Sequence, residues 1–210
     1  MKKIEIIWRE LLYQVLDKRN LPAGPLREAS EEGRSFTQKE IAAKFGFSTS
    51  TVFQALKIPR KMGAVRVTGR FFILEDCEKL LYHWASVRNL EKDVIFRGNV
   101  KLAVLDIESR MPPDVVFGGF SAAREILGGV APADYDTVYV YAKSPAEVKK
   151  RFEFGKGRPN LIVLKADGFL ASYGQVTNIA QTFVDFWNLP FWYAKEFTNS
   201  LKEKIDELLP

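Results

Sequence analysis

The chain has few of the residues on which most metal sites and nucleophilic sites depend. Its 210 residues include one cysteine, Cys77, and one histidine, His83. A single cysteine cannot form an internal disulfide, and one cysteine with one histidine cannot supply the usual zinc-ligand sets. Ser-His-Asp hydrolysis and histidine-clustered metal chemistry are therefore poor candidates for its function.

Long apolar runs are also missing. No window reaches the roughly 18 uninterrupted apolar residues that a membrane-spanning helix needs, and the N-terminus leads into an amphipathic pattern rather than an apolar secretory core. We therefore expect a cytoplasmic protein with no membrane partner. With 47% hydrophobic and 27% charged residues, the composition is that of a folded chain, long enough for one large domain or two modest ones.

Acidic residues are absent from the 34-residue interval between Glu40 and Glu75. Residues 1–90 carry a net charge of +6 and residues 91–210 carry −1, which accounts for the +5 of the whole chain. Concentrated positive charge favours a polyanionic partner, because neutralised phosphates release condensed counterions. A solvated basic face is the alternative. The basic residues of the interval are Lys44, Lys57, Arg60, Lys61, Arg66 and Arg70.

The first 35 residues predict a helix and a loop. Apolar side chains recur at helical spacing over residues 4–16, so we expect a core-facing helix whose opposite face carries Arg9, Glu10 and Lys18. The prolines and glycines of residues 20–35 indicate a loop.

Residues 37–58 match a helix-turn-helix pattern. Thr37-Gln38-Lys39-Glu40 is a capping box that begins one helix, and Gly46 suits the left-handed position that ends it. Ser48 can cap the next helix. Two helices joined by a short turn with glycine are typical of this motif. Pro59 predicts a kink or a break just before it, because proline removes a backbone hydrogen bond of a helix.

The pattern changes to β character after Gly63. Two short β-rich runs, residues 64–68 and 71–74, flank a glycine and predict a hairpin. Helical spacing resumes from Asp76 to Leu90, where we place the end of a first domain. A helix in this position is a candidate dimer contact.

The stretch from Phe36 to Leu74 resembles a winged helix-turn-helix domain. The motifs that carry the resemblance are Thr37-x-x-Glu40-Ile41-Ala42, Gly46-x-Ser48, Ser50-Thr51-Val52-x-x-Ala55-Leu56 and Met62-Gly63-Ala64-Val65. In such domains the third helix enters the DNA major groove and the hairpin wing lies along the backbone or the minor groove. The resemblance implies that residues 1–90 bind double-stranded DNA, whereas some winged helices bind protein instead.

Carried over to this sequence, the resemblance divides the candidate DNA-binding residues into two groups. Candidates for contact with base edges are Ser48, Thr49, Ser50, Thr51 and Gln54, of which Gln54 can pair bidentately with adenine. Candidates for contact with phosphates are Lys57, Arg60, Lys61, Arg66 and Arg70. For Ser48 and Thr49, capping of the helix is the alternative role.

Residues 91–210 alternate between strand and helix character. The whole chain is therefore expected to be an α+β protein, in which an N-terminal winged helix is followed by an α/β domain with a smaller sheet. The expected strands cover residues 114–117, 137–142, 161–164 and, more weakly, 169–173, and the expected helices cover residues 121–127, 145–152, 178–187 and 194–209.

The second domain resembles the nucleotidyltransferase superfamily at two motifs. Gly118-Gly119-Phe120-Ser121 opens a helix, and Asp134-Tyr135-Asp136 leads into a strand. Alternate residues of a strand share a face, so Asp134 and Asp136 could bind Mg²⁺ with a nucleoside triphosphate, with Asp167 as a third carboxylate. The resemblance implies an alternative function, a metal-dependent nucleotidyltransferase whose winged helix holds a nucleic-acid substrate. Residues 128–136 nevertheless have the composition of a loop, which favours a scaffold without catalytic carboxylates or cofactor.

A wider resemblance supports the non-catalytic interpretation. The winged helix, Phe120-Ser-Ala-Ala-Arg124, Val138-Tyr-Val140 and Val184-Asp185-Phe-Trp-Asn188-Leu-Pro190 are together similar to the AbiEi-type antitoxin and transcriptional-regulator family. The resemblance implies a sequence-specific DNA-binding regulator, of the autorepressor type, that is not an enzyme. Its nucleotidyltransferase-like domain would serve for homodimerisation, for a protein partner or for effector binding.

Overall fold

The protein folds as two compact units, the first spanning Lys2–Arg88 and the second beginning at Asn89. A computed structural model describes residues 1–17 and 35–209. The loop predicted at residues 20–35 lies outside the described residues except for Ser35, and so does Lys18. No helix in the described ranges combines the length and the apolar character that crossing a membrane requires.

The described residues of the first unit form helices around a small antiparallel sheet. In chain order its elements are α1 (Lys3–Leu16), β1 (Ser35–Phe36), α2 (Gln38–Phe45), α3 (Thr49–Lys61), β2 (Val65–Thr68), β3 (Phe71–Leu74) and α4 (Cys77–Val87). The sheet has the order β1-β3-β2. β2 and β3 form the predicted hairpin, in which Val65 pairs with Leu74 and Thr68 pairs with Phe71.

The capping box at the start of α2 is confirmed. The Glu40 amide donates to Thr37 Oγ1 at 3.1 Å, and the Thr37 amide donates back to Glu40 Oε2 at 3.1 Å. Gly46 ends the helix with a φ of 62°, a left-handed conformation that glycine adopts without a steric cost.

Pro59 lies inside α3, which runs without interruption from Thr49 to Lys61, so of the predicted kink or break the break is wrong. Proline has no amide hydrogen, so the carbonyl of Ala55, four residues earlier, loses its helical donor. The indole Nε1 of Trp8 in α1 donates a buried hydrogen bond to this carbonyl at 2.8 Å. The neighbouring helix therefore supplies the donor that α3 lacks, and α3 continues to Lys61.

We expect Trp8→Phe to lower the free energy of unfolding by about 1–3 kcal/mol, because it leaves the buried Ala55 carbonyl without a donor. In a Pro59→Ala background the same substitution should cost less, since the new alanine amide can donate to that carbonyl. The loss of indole volume is common to both backgrounds and cancels in the comparison. Urea unfolding of the four proteins checks this, and equal costs of Trp8→Phe in the two backgrounds would contradict it.

The polar face predicted for α1 is buried, which corrects the expectation of an exposed side. Arg9 and Glu10 have no exposed surface. Lys44 Nζ of α2 lies 2.5 Å from Glu10 Oε1, and Arg88 Nη1 donates to Glu5 Oε2 at 3.4 Å. Charged groups are tolerated inside a protein when such partners are present. Helix α1 is therefore packed on both of its faces.

The second unit contains a four-stranded mixed sheet with helices on both faces, so the predicted α+β class of the whole chain is confirmed. A 3-10 turn at Leu90–Asp93 precedes the helices and strands of this unit, which are β4 (Val94–Gly98), α5 (Val104–Ser109), β5 (Val116–Gly118), α6 (Gly119–Ile126), β6 (Val138–Ala142), α7 (Ala146–Arg151), β7 (Leu161–Lys165), α8 (Ile179–Trp187) and α9 (Ala194–Leu208). The sheet has the order β4-β7-β6-β5, in which only β6 and β7 run parallel.

Strand β6 lies in the interior of this sheet, and all five of its residues are buried. Alternate side chains of a strand point to opposite faces. Val140 packs in one apolar cluster with Ile107 of α5 and Val148 of α7. On the other face, the Tyr139 ring lies 6.1 Å from the ring of Phe120 in α6.

The two edges of the sheet are irregular or covered. β4 shifts its register against β7 between Val94 and Phe96. Beyond β5, the amide of Phe117 donates to the Gln175 carbonyl at 2.8 Å, and the amide of Thr177 donates to the Phe117 carbonyl at 2.9 Å. The segment around residue 176 therefore occupies hydrogen-bonding groups on the outer side of β5.

The weak strand predicted at residues 169–173 is wrong. Leu170–Tyr173 form a single 3-10 turn. The Phe169 amide donates to Asp167 Oδ1 at 3.0 Å, and Ser172 Oγ donates to the Phe169 carbonyl at 2.7 Å. Side chains that bond to the local backbone in this way compete with strand pairing and favour turns.

Candidate nucleic-acid interface

Helix α3 presents a continuous exposed stripe along its length. Its buried residues, Val52, Ala55, Leu56 and Pro59, lie on the opposite side. The spacing of the stripe is that of one helical face, so it extends for about 16 Å at 1.5 Å per residue. The exposed residues of the stripe are Ser50, Phe53, Gln54, Lys57, Ile58 and Lys61.

Two apolar side chains belong to this stripe and were not among the predicted contact residues. Phe53 is 44% exposed and Ile58 is 52% exposed. Helical periodicity already places Phe53 and Gln54 on the outer face. Ile58 lies four residues after Gln54, so it belongs to the same face. Single exposed apolar side chains are common on protein surfaces, so Phe53 and Ile58 are part of the stripe but do not by themselves indicate a partner.

The hydroxyl groups at the start of α3 are engaged in capping. The Thr51 amide donates to Ser48 Oγ at 3.2 Å, and the Thr51 and Ser48 hydroxyls lie 3.0 Å apart. These bonds satisfy donors in the first turn of the helix. The next two side chains, Thr49 and Ser50, are exposed.

The hairpin after α3 carries a basic tip. Gly69 and Arg70 connect β2 with β3, and Gly69 has a φ of 55°, as the tight hairpin turns require at this position. Arg70 is exposed. Arg66, on β2, is also exposed, but its Nε lies 2.6 Å from Glu75 Oε1. Arg70 therefore carries the less compensated charge of the two.

The structure brings the sequence-predicted residues of the first unit together on α3 and the hairpin that follows it. Thr51 is half-buried, and the others are exposed: Ser48, Thr49, Ser50, Gln54, Lys57, Arg60, Lys61, Arg66 and Arg70. No acidic residue lies in this part of the sequence between Ile41 and Leu74. The exposed side chains of α3 and of the hairpin are therefore basic, hydrogen-bonding or apolar, and none of them is acidic.

The carboxylates predicted for a metal site do not share a strand. β6 begins at Val138, so Asp134 and Asp136 lie in the preceding loop, as the composition of residues 128–136 indicates, and the strand-face arrangement of the alternative metal site is wrong. Asp136 Oδ1 accepts hydrogen bonds from Thr137 Oγ1 at 2.8 Å and from the Tyr193 hydroxyl at 3.2 Å. Asp167 bonds to the backbone of its own turn. In the described ranges no three His, Cys, Asp or Glu side chains form a group that could hold a metal ion.

The predicted Gly118-Gly119 turn has a packing reason in the structure. A Cβ at Gly118 would lie 2.9 Å from Tyr141 Cε2, and a Cβ at Gly119 would lie 2.9 Å from Tyr139 Cδ2. Gly119 also has a φ of 51°, in the left-handed region. Both glycines thus allow β5 and α6 to approach the tyrosines of β6 closely.

Comparisons with protein-family models, with curated proteins and with solved structures give no match for this chain.

Proposed function

We propose that the first unit is a winged helix-turn-helix domain and that the chain is a sequence-specific DNA-binding transcriptional regulator. The observation that carries this proposal is the exposed stripe of α3, followed directly in the chain by a hairpin with a basic tip. A major groove about 12 Å wide admits a helix, and a hairpin wing contacts the backbone or the minor groove.

Successive residues of the stripe offer different kinds of contact to DNA. Gln54 presents an amide that can pair with adenine, and Phe53 presents an apolar ring that can contact a thymine methyl group. Lys57 and Lys61 lie one helical turn apart and would bind phosphates, which fix the position of the helix in the groove. Arg70 would do the same from the wing.

For the second unit we propose a non-catalytic domain related in topology to nucleotidyltransferases. The supporting observation is the order β5, Gly118-Gly119, α6 and β6, with β5 and β6 antiparallel. In the proposed regulator this unit serves for homodimerisation or partner binding, which suits the two-fold symmetry of most operators.

Binding of the purified chain to the DNA upstream of its own gene, compared with a random duplex across a salt series, tests this function. The affinity should fall with salt, and Arg70→Ala should reduce the slope of log affinity against log salt by about 0.9. Arg66→Ala should reduce it less, since Glu75 already neutralises part of that charge. Absence of salt-dependent DNA binding would contradict the proposal and favour a winged helix that binds protein.

A further inference from the structure

The second unit contains a pocket that the proposed DNA-binding function does not use. Its volume is about 260 Å³, slightly below the roughly 300–1,000 Å³ of typical small-molecule sites. Leu90, Val94, Ile162 and Leu189 contribute apolar walls. Between these walls lie five polar side chains, a combination of an apolar lining with a few polar groups that is typical of ligand pockets. They comprise two positive charges and one negative charge, and they are Arg97, Arg158, Tyr139, Asn188 and Glu91.

Tyr139 is the polar lining residue whose hydroxyl has no hydrogen-bond partner within the described part of the protein. Tyr139 is 7% exposed. Because the hydroxyl has no such partner and is not fully enclosed by protein, it can donate to a molecule bound in the pocket. Burial raises the pKa of Tyr139 above its usual value, which keeps the hydroxyl protonated and able to donate at neutral pH.

The arginines are held at the pocket but keep spare donors. The Arg158 guanidinium lies 5.2 Å from the centroid of the Phe191 ring, and its Nη1 is 3.8 Å from Asp136 Oδ2. Arg97, on β4, pairs with Glu91. A guanidinium has five N–H donors, so the close pair of Arg97 with Glu91 and the longer contact of Arg158 with Asp136 each leave most of them available. Both side chains are exposed enough to reach a bound anion, with side-chain exposures of 42% and 64%.

We propose that this pocket binds a small organic carboxylate with an apolar body. The carboxylate would accept hydrogen bonds from Arg97, Arg158 and the Tyr139 hydroxyl, and the apolar body would lie against Ile162 and Leu189. Arginine pairs bidentately with carboxylates, and apolar walls favour a ligand with a hydrocarbon part over a bare inorganic anion. This site is independent of the DNA contacts proposed for the first unit.

Calorimetric titration with phenylacetate tests the proposal, with phenylacetamide as the neutral probe of nearly the same shape and inorganic phosphate as the bare anion. For a ligand of this size we expect a dissociation constant on the order of 1 mM. Phenylacetamide and phosphate should bind at least about tenfold more weakly, because each lacks either the charge or the apolar body.

Three variants and one control distinguish binding of phenylacetate in the pocket from nonspecific binding of anions to the protein surface. Arg158→Met and Tyr139→Phe should each weaken phenylacetate binding about tenfold, and Arg97→Met should act in the same direction. Arg151→Met, which removes an exposed charge from α7 outside the pocket, should have no effect. Tyr139→Phe should also leave the thermal midpoint unchanged, since no described residue bonds to the hydroxyl.

The proposal is overturned by any of three results. Phenylacetate does not bind at all, phenylacetamide or phosphate binds as well as phenylacetate, or the pocket variants bind phenylacetate like the wild type. A loss of phenylacetate binding in Arg158→Met supports the proposal only if circular dichroism shows that this variant is folded. If it is not folded, the result for Tyr139→Phe is used in its place.

Discussion

If the proposed DNA-binding function is correct, replacing Lys57 and Lys61 by glutamine should weaken binding to the specific DNA site by about 100-fold at low salt, because the two phosphate contacts proposed for them would be lost. The slope of log affinity against log salt should become shallower by about 1.8, twice the value for one phosphate. Both side chains are exposed on α3, so the substitutions should leave the stability of the first unit unchanged. Fluorescence anisotropy over a salt series, beside urea unfolding, measures both effects.

The matched control removes the same charge from the second unit. Lys156 and Lys165 are exposed and lie on the loop before β7 and at its end. If the variant with glutamine at both of these positions loses as much affinity as the α3 variant, binding follows net charge alone and α3 is not the contact helix. A Gln54→Ala variant adds a second criterion, since it should reduce preference for the operator while leaving the salt slope unchanged.

Phe120→Ala should destabilise the second unit by about 3–5 kcal/mol, the usual cost of removing a buried phenyl ring. Phe120 has no exposed surface. Its ring centroid lies 5.0 Å from those of Phe186 and Phe197 and 5.4 Å from that of Tyr193. These rings come from α8, from α9 and from the residue before α9, so the cavity would open at the point where α6 meets both helices.

Chemical denaturation with separate probes for the two units measures this effect. Phe120→Leu keeps most of the side-chain volume and should cost clearly less than the alanine variant. If Phe120→Ala is as stable as the wild type, this aromatic cluster does not form the core between α6, α8 and α9. The transition of the first unit should be the same in all three proteins.

Local signals in the sequence predict most of the first unit. The capping box at Thr37, the glycine at position 46 and the hairpin glycine at position 69 each act over three or four residues, so they can be recognised without the fold. The exposed side of α3 follows from its periodicity for the same reason. Periodicity does not assign Ile58 to this side, because the kink or break expected from Pro59 ends the helical pattern there, whereas the structure continues α3 past it.

The predictions for the first unit that are wrong concern features that depend on contacts between residues far apart in the sequence. The continuity of α3 through Pro59 depends on Trp8, which lies 47 positions away from its acceptor. The burial of Arg9 and Glu10 depends on groups from other helices, including Lys44. A pattern of residues along one helix contains no information about such partners, and propensity rules assign these side chains to solvent.

For the second unit, the sequence predicts the fold class better than it predicts the functional sites. The apolar runs of β6 and β7 are strong enough to identify strands by composition. The loop composition of residues 128–136 already indicates where Asp134 and Asp136 lie, since the strand begins two residues after Asp136, whereas the resemblance to nucleotidyltransferases suggests a shared strand face that does not exist. The pocket around Tyr139 draws on residues from positions 90 to 191, and no local motif joins them.

The register shift in β4 and the segment that covers β5 affect how this protein behaves at high concentration. A long, straight sheet edge is a template for strands of other molecules and a starting point for aggregation. The irregular register of β4 bends that edge, and the Phe117 backbone of β5 is already bonded to the segment around residue 176. Self-association of this unit by strand addition is therefore disfavoured, and copies of the chain that pair with one another should meet through side chains rather than through a continuous sheet.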